Sequence, residues 1–82
     1  YYEINEAFAA QFLACNRELK LPMDKVNANG SGIAIGHPVG CTGVRIIVGC
    51  LSELIYRQAR YGVASLCVGG GPSMATVIER IP

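Results

Sequence analysis

The 82-residue sequence has no tryptophan, one histidine and few charged side chains, and each shortage disfavours a class of protein. Charged residues make up 16% of the chain, against about 25% in a typical soluble domain. Seven basic residues stand against six acidic ones without forming a cluster, which disfavours binding to nucleic acid. Four cysteines without a Cys-x-x-Cys pair, and with one histidine, predict neither a metal site nor a disulfide scaffold.

Uninterrupted apolar runs are also missing. The two longest uncharged stretches, residues 26–44 and 61–78, approach membrane-spanning length but are broken repeatedly by glycine and proline. We therefore expect no transmembrane helix and no membrane partner. No charged-then-apolar leader opens the sequence, and the cysteines are typical of reduced thiols, so the expected location is cytoplasmic.

Apolar residues, in contrast, are abundant, at 51% of the chain. Size scaling predicts about 4,700 Å² of folded surface and burial of only about 60% of the unfolded surface. So short a chain holds one domain at most and cannot easily cover so many apolar side chains. We expect residues 1–82 to be part of a larger domain or to bury their surface against a partner.

The first half of the sequence predicts a helix, then a strand and a glycine-rich loop. Phe8, Phe12, Cys15 and Leu19 form an apolar stripe at helical spacing, with Asn5 as a candidate N-cap and Pro22 beyond the end. A short strand is expected at Val26. Residues 27–40 are too rich in glycine for a helix and are expected to form a shaped loop.

The second half predicts a long helix and a β-hairpin. Residues 41–60 carry an apolar stripe at helical spacing, and Gly62 is the expected left-handed residue after the helix. The stripe consists of Val44, Ile47, Val48, Leu51, Leu54 and Ile55. Residues 63–68 and 74–81 read as two strands around the glycine-rich turn 69–73. The order helix, strand, helix, strand, strand indicates an α/β fold.

His37 is the first candidate for chemistry. It lies between Gly36 and Pro38 in a loop that leads from a strand into a helix, the edge of an α/β sheet where ligands bind. The imidazole of histidine can take up or release a proton near neutral pH, which suits acid or base chemistry. The alternative is a loop histidine that only donates a hydrogen bond to the backbone.

Cys67 and Asn5 are weaker candidates from local sequence. Cys67 ends an apolar strand and precedes three glycines, where backbone N–H groups can face an oxyanion, but a buried packing cysteine is the plainer reading. Asn5 also fits a helix cap. Cys15, Cys41 and Cys50 are interpreted as packing residues. The glycine-rich loop lacks the Gly-Lys-Ser/Thr of a phosphate loop, so a nucleotide-binding module is disfavoured.

Together these motifs resemble the carboxyl-terminal part of the thiolase family, which makes or cleaves 3-ketoacyl-coenzyme A. Residues 5–8, Asn-Glu-Ala-Phe, residues 36–38, Gly-His-Pro, and residues 67–69, Cys-Val-Gly, are similar to three family motifs in the family's order and spacing. The resemblance implies that the α/β pattern is the end of a layered αβαβα architecture. It also implies that the rest of the domain and an amino-terminal domain are absent.

The resemblance implies a role for each matching residue. His37 would activate a nucleophilic cysteine and help bind the thioester oxygen, and Cys67 would be the proton-transferring acid/base. Asn5 would hold a water that completes one oxyanion hole with His37, and the Gly69 N–H would contribute to the other. Ser31, Val44 and Pro72 depart from the usual family residues without touching these positions.

The largest departure is that no cysteine here resembles the nucleophile, so the 82 residues alone are predicted to be inactive. The resemblance further implies coenzyme A thioesters as substrates, no covalently bound cofactor, the remainder of a subunit as partner, and a dimer or tetramer. The alternative is a catalytically silent packing or interaction module derived from the family.

Overall fold

A computed structural model describes all residues from Tyr1 to Pro82. The elements follow one another as β1 (Tyr2–Ile4), α1 (Ala9–Leu19), a 3-10 turn (Met23–Lys25), α2 (Gly32–Ile35), α3 (Thr42–Tyr56), β2 (Tyr61–Cys67) and β3 (Ser73–Glu79). None of the helices has the length and hydropathy that crossing a membrane requires.

The three strands form one mixed sheet in the order β1-β2-β3. β1 runs parallel to β2, with Ile4 opposite Ser65, and β2 pairs antiparallel with β3, with Cys67 opposite Ser73. The predicted hairpin is therefore confirmed. The parallel pair places the carboxyl ends of β1 and β2 at the same edge of the sheet.

The core lies where α3 packs on β1 and β2. Ile46, Cys50 and Leu54 of α3 are buried, and Gly62 of β2 faces them. A Cβ built at Gly62 would meet Cys50 Sγ and lie 3.2 Å from Leu54 Cδ1, so glycine allows the helix to approach the strand this closely. The prediction that Gly62 ends the helix in a left-handed conformation is wrong; Gln58, with φ of 55°, takes that conformation.

Several predicted elements differ from those observed. The strand β1 was not predicted, because three residues give no readable alternation, whereas the strand expected at Val26 is a single bridge to Tyr2. The loop excluded from helix formation contains α2, one turn whose following residue, Gly36, has φ of 91°. α3 ends at Tyr56, four residues before the predicted end at Arg60.

Much of the apolar surface of the two long helices is uncovered. Of the stripe predicted for α3, only Leu54 is buried, whereas Val44 is 65% and Ile55 62% exposed. On α1, Phe12 is buried and Phe8 is 73% exposed. The total surface of 5425 Å² exceeds the roughly 4,700 Å² expected of a compact chain of this mass. The helical periods were predicted correctly, but most of these side chains find no cover within residues 1–82.

Candidate active site

Asn5 follows the last residue of β1 and lies against β2. Its backbone N–H donates to the carbonyl of Ser65 at 2.9 Å, a bond of the Ile4–Ser65 pair at the end of the β1–β2 ladder. The side chain is 1% exposed, and its Oδ1 has no hydrogen-bond partner. Asn5 is not the N-cap of α1, as the sequence suggested, because the helix begins at Ala9 with Phe8 as its cap residue. Its amide is therefore free for another use.

Cys67 is brought to the same edge of the sheet as Asn5. It is the last residue of β2, is half-buried, and carries a free thiol. Asn5 and Cys67 both line a mainly apolar cavity of about 450 Å³ between the sheet and α1. Two of the four candidate residues, 62 positions apart in the chain, thus share one cavity.

His37 lies in the exposed segment between α2 and α3 and does not line that cavity. Its Nδ1 is 2.6 Å from Oγ1 of Thr42, the first residue of α3. Thr42 is fully buried. The hydrogen-bond partner of the ring is thus a side chain and not the backbone, and the role of His37 in chemistry stays a prediction.

The loop that carries His37 is nevertheless tied to the end of β1. The Asn27 side chain accepts from the Ile4 N–H at 2.8 Å and donates to the Ile4 carbonyl at 2.7 Å. Ser31 Oγ donates to the same carbonyl at 3.1 Å. Because Asn27 and Ser31 are both bonded to Ile4, the segment that precedes α2 is fixed next to the end of β1. The position of α2 relative to Asn5 is thereby fixed as well.

Helix α2 rests directly on the Asn5-Glu6 segment. A Cβ at Gly32 would lie 2.9 Å from both Asn5 Oδ1 and the Glu6 carbonyl, so only glycine permits this approach. The Glu6 carboxylate accepts a hydrogen bond from the Ile33 N–H at 3.3 Å, in the first turn of α2. His37 follows this turn by two residues.

Gly69 lies in the turn between β2 and β3. The Val68 N–H donates to the Pro72 carbonyl at 2.8 Å, and Gly70 and Gly71 adopt φ of 91° and 102°. The Gly69 N–H makes no backbone hydrogen bond, and a Cβ there would meet nothing within 4 Å. Its amide is accessible at the mouth of the turn.

A buried carboxylate stands two residues before Asn5. Glu3 is 3% exposed and accepts a hydrogen bond from the Tyr1 hydroxyl at 2.8 Å. Burial raises the pKa of Glu3, whereas the Tyr1 hydrogen bond and the charge of Arg45 act in the opposite direction. Arg45 of α3 also donates to Ser31 Oγ at 3.4 Å. The same arginine thus interacts with Glu3 of β1 and with the loop that carries His37.

A second polar cluster joins α3 to the preceding segment. Glu53 accepts hydrogen bonds from Arg57 Nε at 2.6 Å and from Asn29 Nδ2 at 2.7 Å. The Arg57 hydrogen bond is the main cause of the lowered pKa of Glu53. Arg57 also lies over the Tyr1 ring at 4.8 Å. This cluster holds elements together and offers no free nucleophile.

The remaining cysteines differ in their surroundings. Cys50 is fully buried, and burial raises the pKa of its thiol, so its prediction as a packing residue is confirmed. Cys15 and Cys41 are exposed within these 82 residues, so for them the same prediction stays a prediction. No three His, Cys, Asp or Glu side chains come together so that they could hold a metal ion.

Sequence reasoning missed Thr42, Asn27 and Glu6. A threonine at the start of a strongly periodic helix, five residues after the only histidine, was a usable signal. Asn27 gave a weaker one, since asparagine tolerates the left-handed region, and its φ is 46°. Glu6 stands in the Asn-Glu-Ala-Phe motif, but nothing local indicates its contact with α2, because its partner Ile33 is 27 residues away.

Comparison with known proteins agrees with this architecture. The family model described as "Thiolase, C-terminal domain" matches residues 1–80. A probable acetyl-CoA acyltransferase of Staphylococcus epidermidis is 56% identical over 79 residues, covering 96% of this chain and 20% of that protein. An acetyl-CoA acetyltransferase of Cupriavidus necator is 54% identical over 78 residues, again 20% of its length.

A solved structure gives the same relationship in three dimensions. The crystal structure of the Bacillus anthracis acetyl-CoA acetyltransferase superposes with a TM-score of 0.91 and 59% identity, covering 95% of this chain and 20% of that one. The chain thus spans about a fifth of the length of the relatives it matches. It belongs to the thiolase family, as a match to the family's C-terminal domain.

Proposed function

We propose that this chain supplies the acid/base half of the active site of an acyltransferase that acts on coenzyme A thioesters. The reaction is the condensation of two acetyl-CoA molecules or the thiolytic cleavage of a 3-ketoacyl-CoA. The observation that carries the proposal is the cavity that Asn5 and Cys67 share, together with the Asn5 amide oxygen, which is buried beside α2 without a hydrogen-bond partner. The relatives, which are named as acetyl-CoA acyltransferases and acetyltransferases, support the same chemistry.

Cys67 is the proposed acid/base. Carbon–carbon bond formation between thioesters requires removal of a proton from the carbon alpha to a carbonyl, and a positioned cysteine side chain can act as the general base or acid that exchanges such a proton. In condensation, the Cys67 thiolate takes the alpha proton of the second acyl-CoA. In cleavage, the Cys67 thiol returns that proton to the departing carbanion. The half-buried position of Cys67 at the strand end supports contact with substrate.

His37 and Asn5 are proposed to act on the oxygen and on the nucleophile. His37 accepts the proton of a cysteine that lies outside residues 1–82, and the resulting thiolate attacks the first thioester. The protonated ring donates to the thioester oxygen during this attack, and coenzyme A leaves as its thiol with that proton when the original carbon–sulfur bond breaks. Asn5 Oδ1 accepts from a water that donates to the same oxygen, which would satisfy its buried acceptor. The Gly69 N–H is proposed to donate to the second oxyanion.

The proposed partners are the rest of the subunit, further copies of it and the substrates. We propose that the remainder of a thiolase subunit covers the apolar face of α3, and that the assembled protein is a dimer or tetramer. Coenzyme A thioesters are its substrates, and no cofactor is covalently bound. Four free cysteines support a cytoplasmic location, since disulfides are rare there.

Two substitutions in the full-length gene product test these roles. Cys67→Ser is expected to lower condensation at least 1,000-fold and to abolish exchange of the acetyl-CoA methyl protons with solvent, while labelled acetyl-CoA still acylates the enzyme. His37→Ala is expected to impair both acylation and condensation at least 100-fold.

Cys15→Ser is the matched control, because Cys15 lines the same cavity but is exposed. It should stay within about threefold of the unmodified protein. Full condensation activity in Cys67→Ser would overturn the assignment of Cys67, and full acylation in His37→Ala would overturn that of His37.

The exposed apolar residues of α3 also favour a second candidate, a silent packing or interaction module. The two are separated by the mass of the protein that the source organism makes. An isolated product of 8.7 kDa without acyltransferase activity supports the module. A product about five times longer, with activity that Cys67→Ser removes, supports the enzyme.

A further inference from the structure

Thr42 connects His37 to the start of α3. Its side chain is fully buried, and its Oγ1 lies 2.6 Å from His37 Nδ1. The same hydroxyl donates to the Pro38 carbonyl at 3.1 Å. That carbonyl also accepts the N–H groups of Cys41 at 2.8 Å and Thr42 at 2.9 Å, so the backbone of the helix start fixes the position of the hydroxyl.

The rest of the loop gives His37 little support. The residue is exposed, and no other side chain makes a hydrogen bond to its ring. Gly36 beside it has φ of 91°, and a Cβ there would meet nothing within 4 Å. The orientation of the imidazole therefore depends on its bond to Thr42.

A hydroxyl suits this task because it both donates and accepts. When Nδ1 is protonated, its N–H donates a hydrogen bond to Oγ1, and the hydroxyl proton of Thr42 is donated to the Pro38 carbonyl. When Nδ1 is not protonated, Oγ1 donates a hydrogen bond to Nδ1. The bond therefore persists in the neutral and the charged ring. With Nδ1 occupied, Nε2 is the nitrogen left to exchange protons with other groups.

We propose that Thr42 is a positioning residue for His37, holding the imidazole through Nδ1 so that Nε2 faces the reacting groups. This inference rests on the proposed role of His37 in catalysis. Thr42 itself touches neither substrate nor the reacting atoms.

The test compares three substitutions of Thr42 in the full-length gene product. Thr42→Val keeps the shape but removes the hydroxyl, Thr42→Ala removes hydroxyl and bulk, and Thr42→Ser keeps the hydroxyl. Thiolysis is measured as kcat and KM, with active sites counted by stoichiometric alkylation so that misfolded protein does not contribute. The valine variant is expected to lose about 10- to 100-fold in kcat with KM changed less than threefold, because a base out of position loses part of its effect. The serine variant should recover to within about threefold.

Three outcomes would overturn the inference. Unchanged kcat in both the valine and alanine variants means that the bond is not needed. Equal losses in the serine and valine variants mean that the γ-methyl packing matters and the hydroxyl does not. A crystal structure of Thr42→Ala with the His37 ring unmoved removes the positioning role even if Thr42→Val fails to fold. His37→Ala, measured alongside, separates the two claims: if it stays active, the proposed role of His37 fails; if it is inactive while Thr42→Val is active, only the positioning role fails.

Discussion

The contact between Gly62 and α3 predicts a specific interaction between two substitutions. A Cβ at Gly62 would meet Cys50 Sγ and lie 3.2 and 3.4 Å from the two methyl carbons of Leu54. Cys50 and Leu54 are fully buried, so neither can swing into solvent. Gly62→Ala should therefore overpack the core and cost about 1–3 kcal/mol in the free energy of unfolding.

Cys50→Ala is expected to be destabilising in the unmodified protein but stabilising when residue 62 is alanine. Alone, it removes one buried heavy atom and should cost about 1 kcal/mol, as small core deletions do. Combined with Gly62→Ala, it vacates the space that the new Cβ requires. The double variant should be more stable than Gly62→Ala alone, with a coupling energy of at least about 1 kcal/mol.

The measurement is thermal and urea unfolding of the full-length gene product and the three variants. Gly43→Ala is the control, since a Cβ at Gly43 of α3 would meet nothing within 4 Å, and it should leave the Tm unchanged or raise it. The test depends only on which of the two variants, Gly62→Ala or the double variant, has the higher Tm. If the double variant unfolds at or below the Tm of Gly62→Ala, the steric argument is refuted.

Two further predictions concern the buried carboxylate and the uncovered face of α3. Burial raises the pKa of Glu3 above its ordinary value of 4.5, so the folded state binds this proton more tightly than the unfolded chain does. The stability from protonation is full below the ordinary value and is lost as the pH rises through the raised pKa. Glu3→Gln should therefore flatten the fall in Tm above pH 4.5, whereas the exposed Glu18→Gln should not; parallel pH curves for Glu3→Gln and the unmodified protein would contradict this. Val48→Asp, at a residue 54% exposed in the chain alone, should lower the Tm of the full-length product by several degrees if upstream residues cover α3. An unchanged Tm in Val48→Asp would mean that this face is solvated.

The long helices and the hairpin were predictable because their signals are local. The apolar spacing of α3 is read within 15 residues, and the three glycines at 69–71 lie one residue from the end of β2 and one residue from the start of β3. β1 and α2 were not, since three and four residues carry no readable period. These two elements form because bonds to distant residues, such as those from Asn27 and Glu6, compensate their own weak propensity.

The candidate site shows the same division. Sequence motifs named Asn5, His37, Cys67 and Gly69, but local reading made Asn5 a helix cap and Cys67 a packing residue. Only the parallel pairing of β1 with β2 brings Asn5 and Cys67 to the same edge of the sheet, where both line one cavity. Thr42 emerged from the structure alone, because a hydroxyl becomes a partner of His37 only when the helix start folds back toward it.

The sequence by itself determined the family, the periods of the two long helices, the hairpin and the shortage of polar residues to cover so much apolar surface. These properties depend on residue types and short spacings, which are present before the chain folds. The tertiary structure decided which apolar side chains are covered within these 82 residues, where Asn5 and Cys67 meet, and which hydroxyl holds His37. Those outcomes depend on contacts between residues far apart in the chain, and such contacts exist only once the strands pair and α3 packs on them.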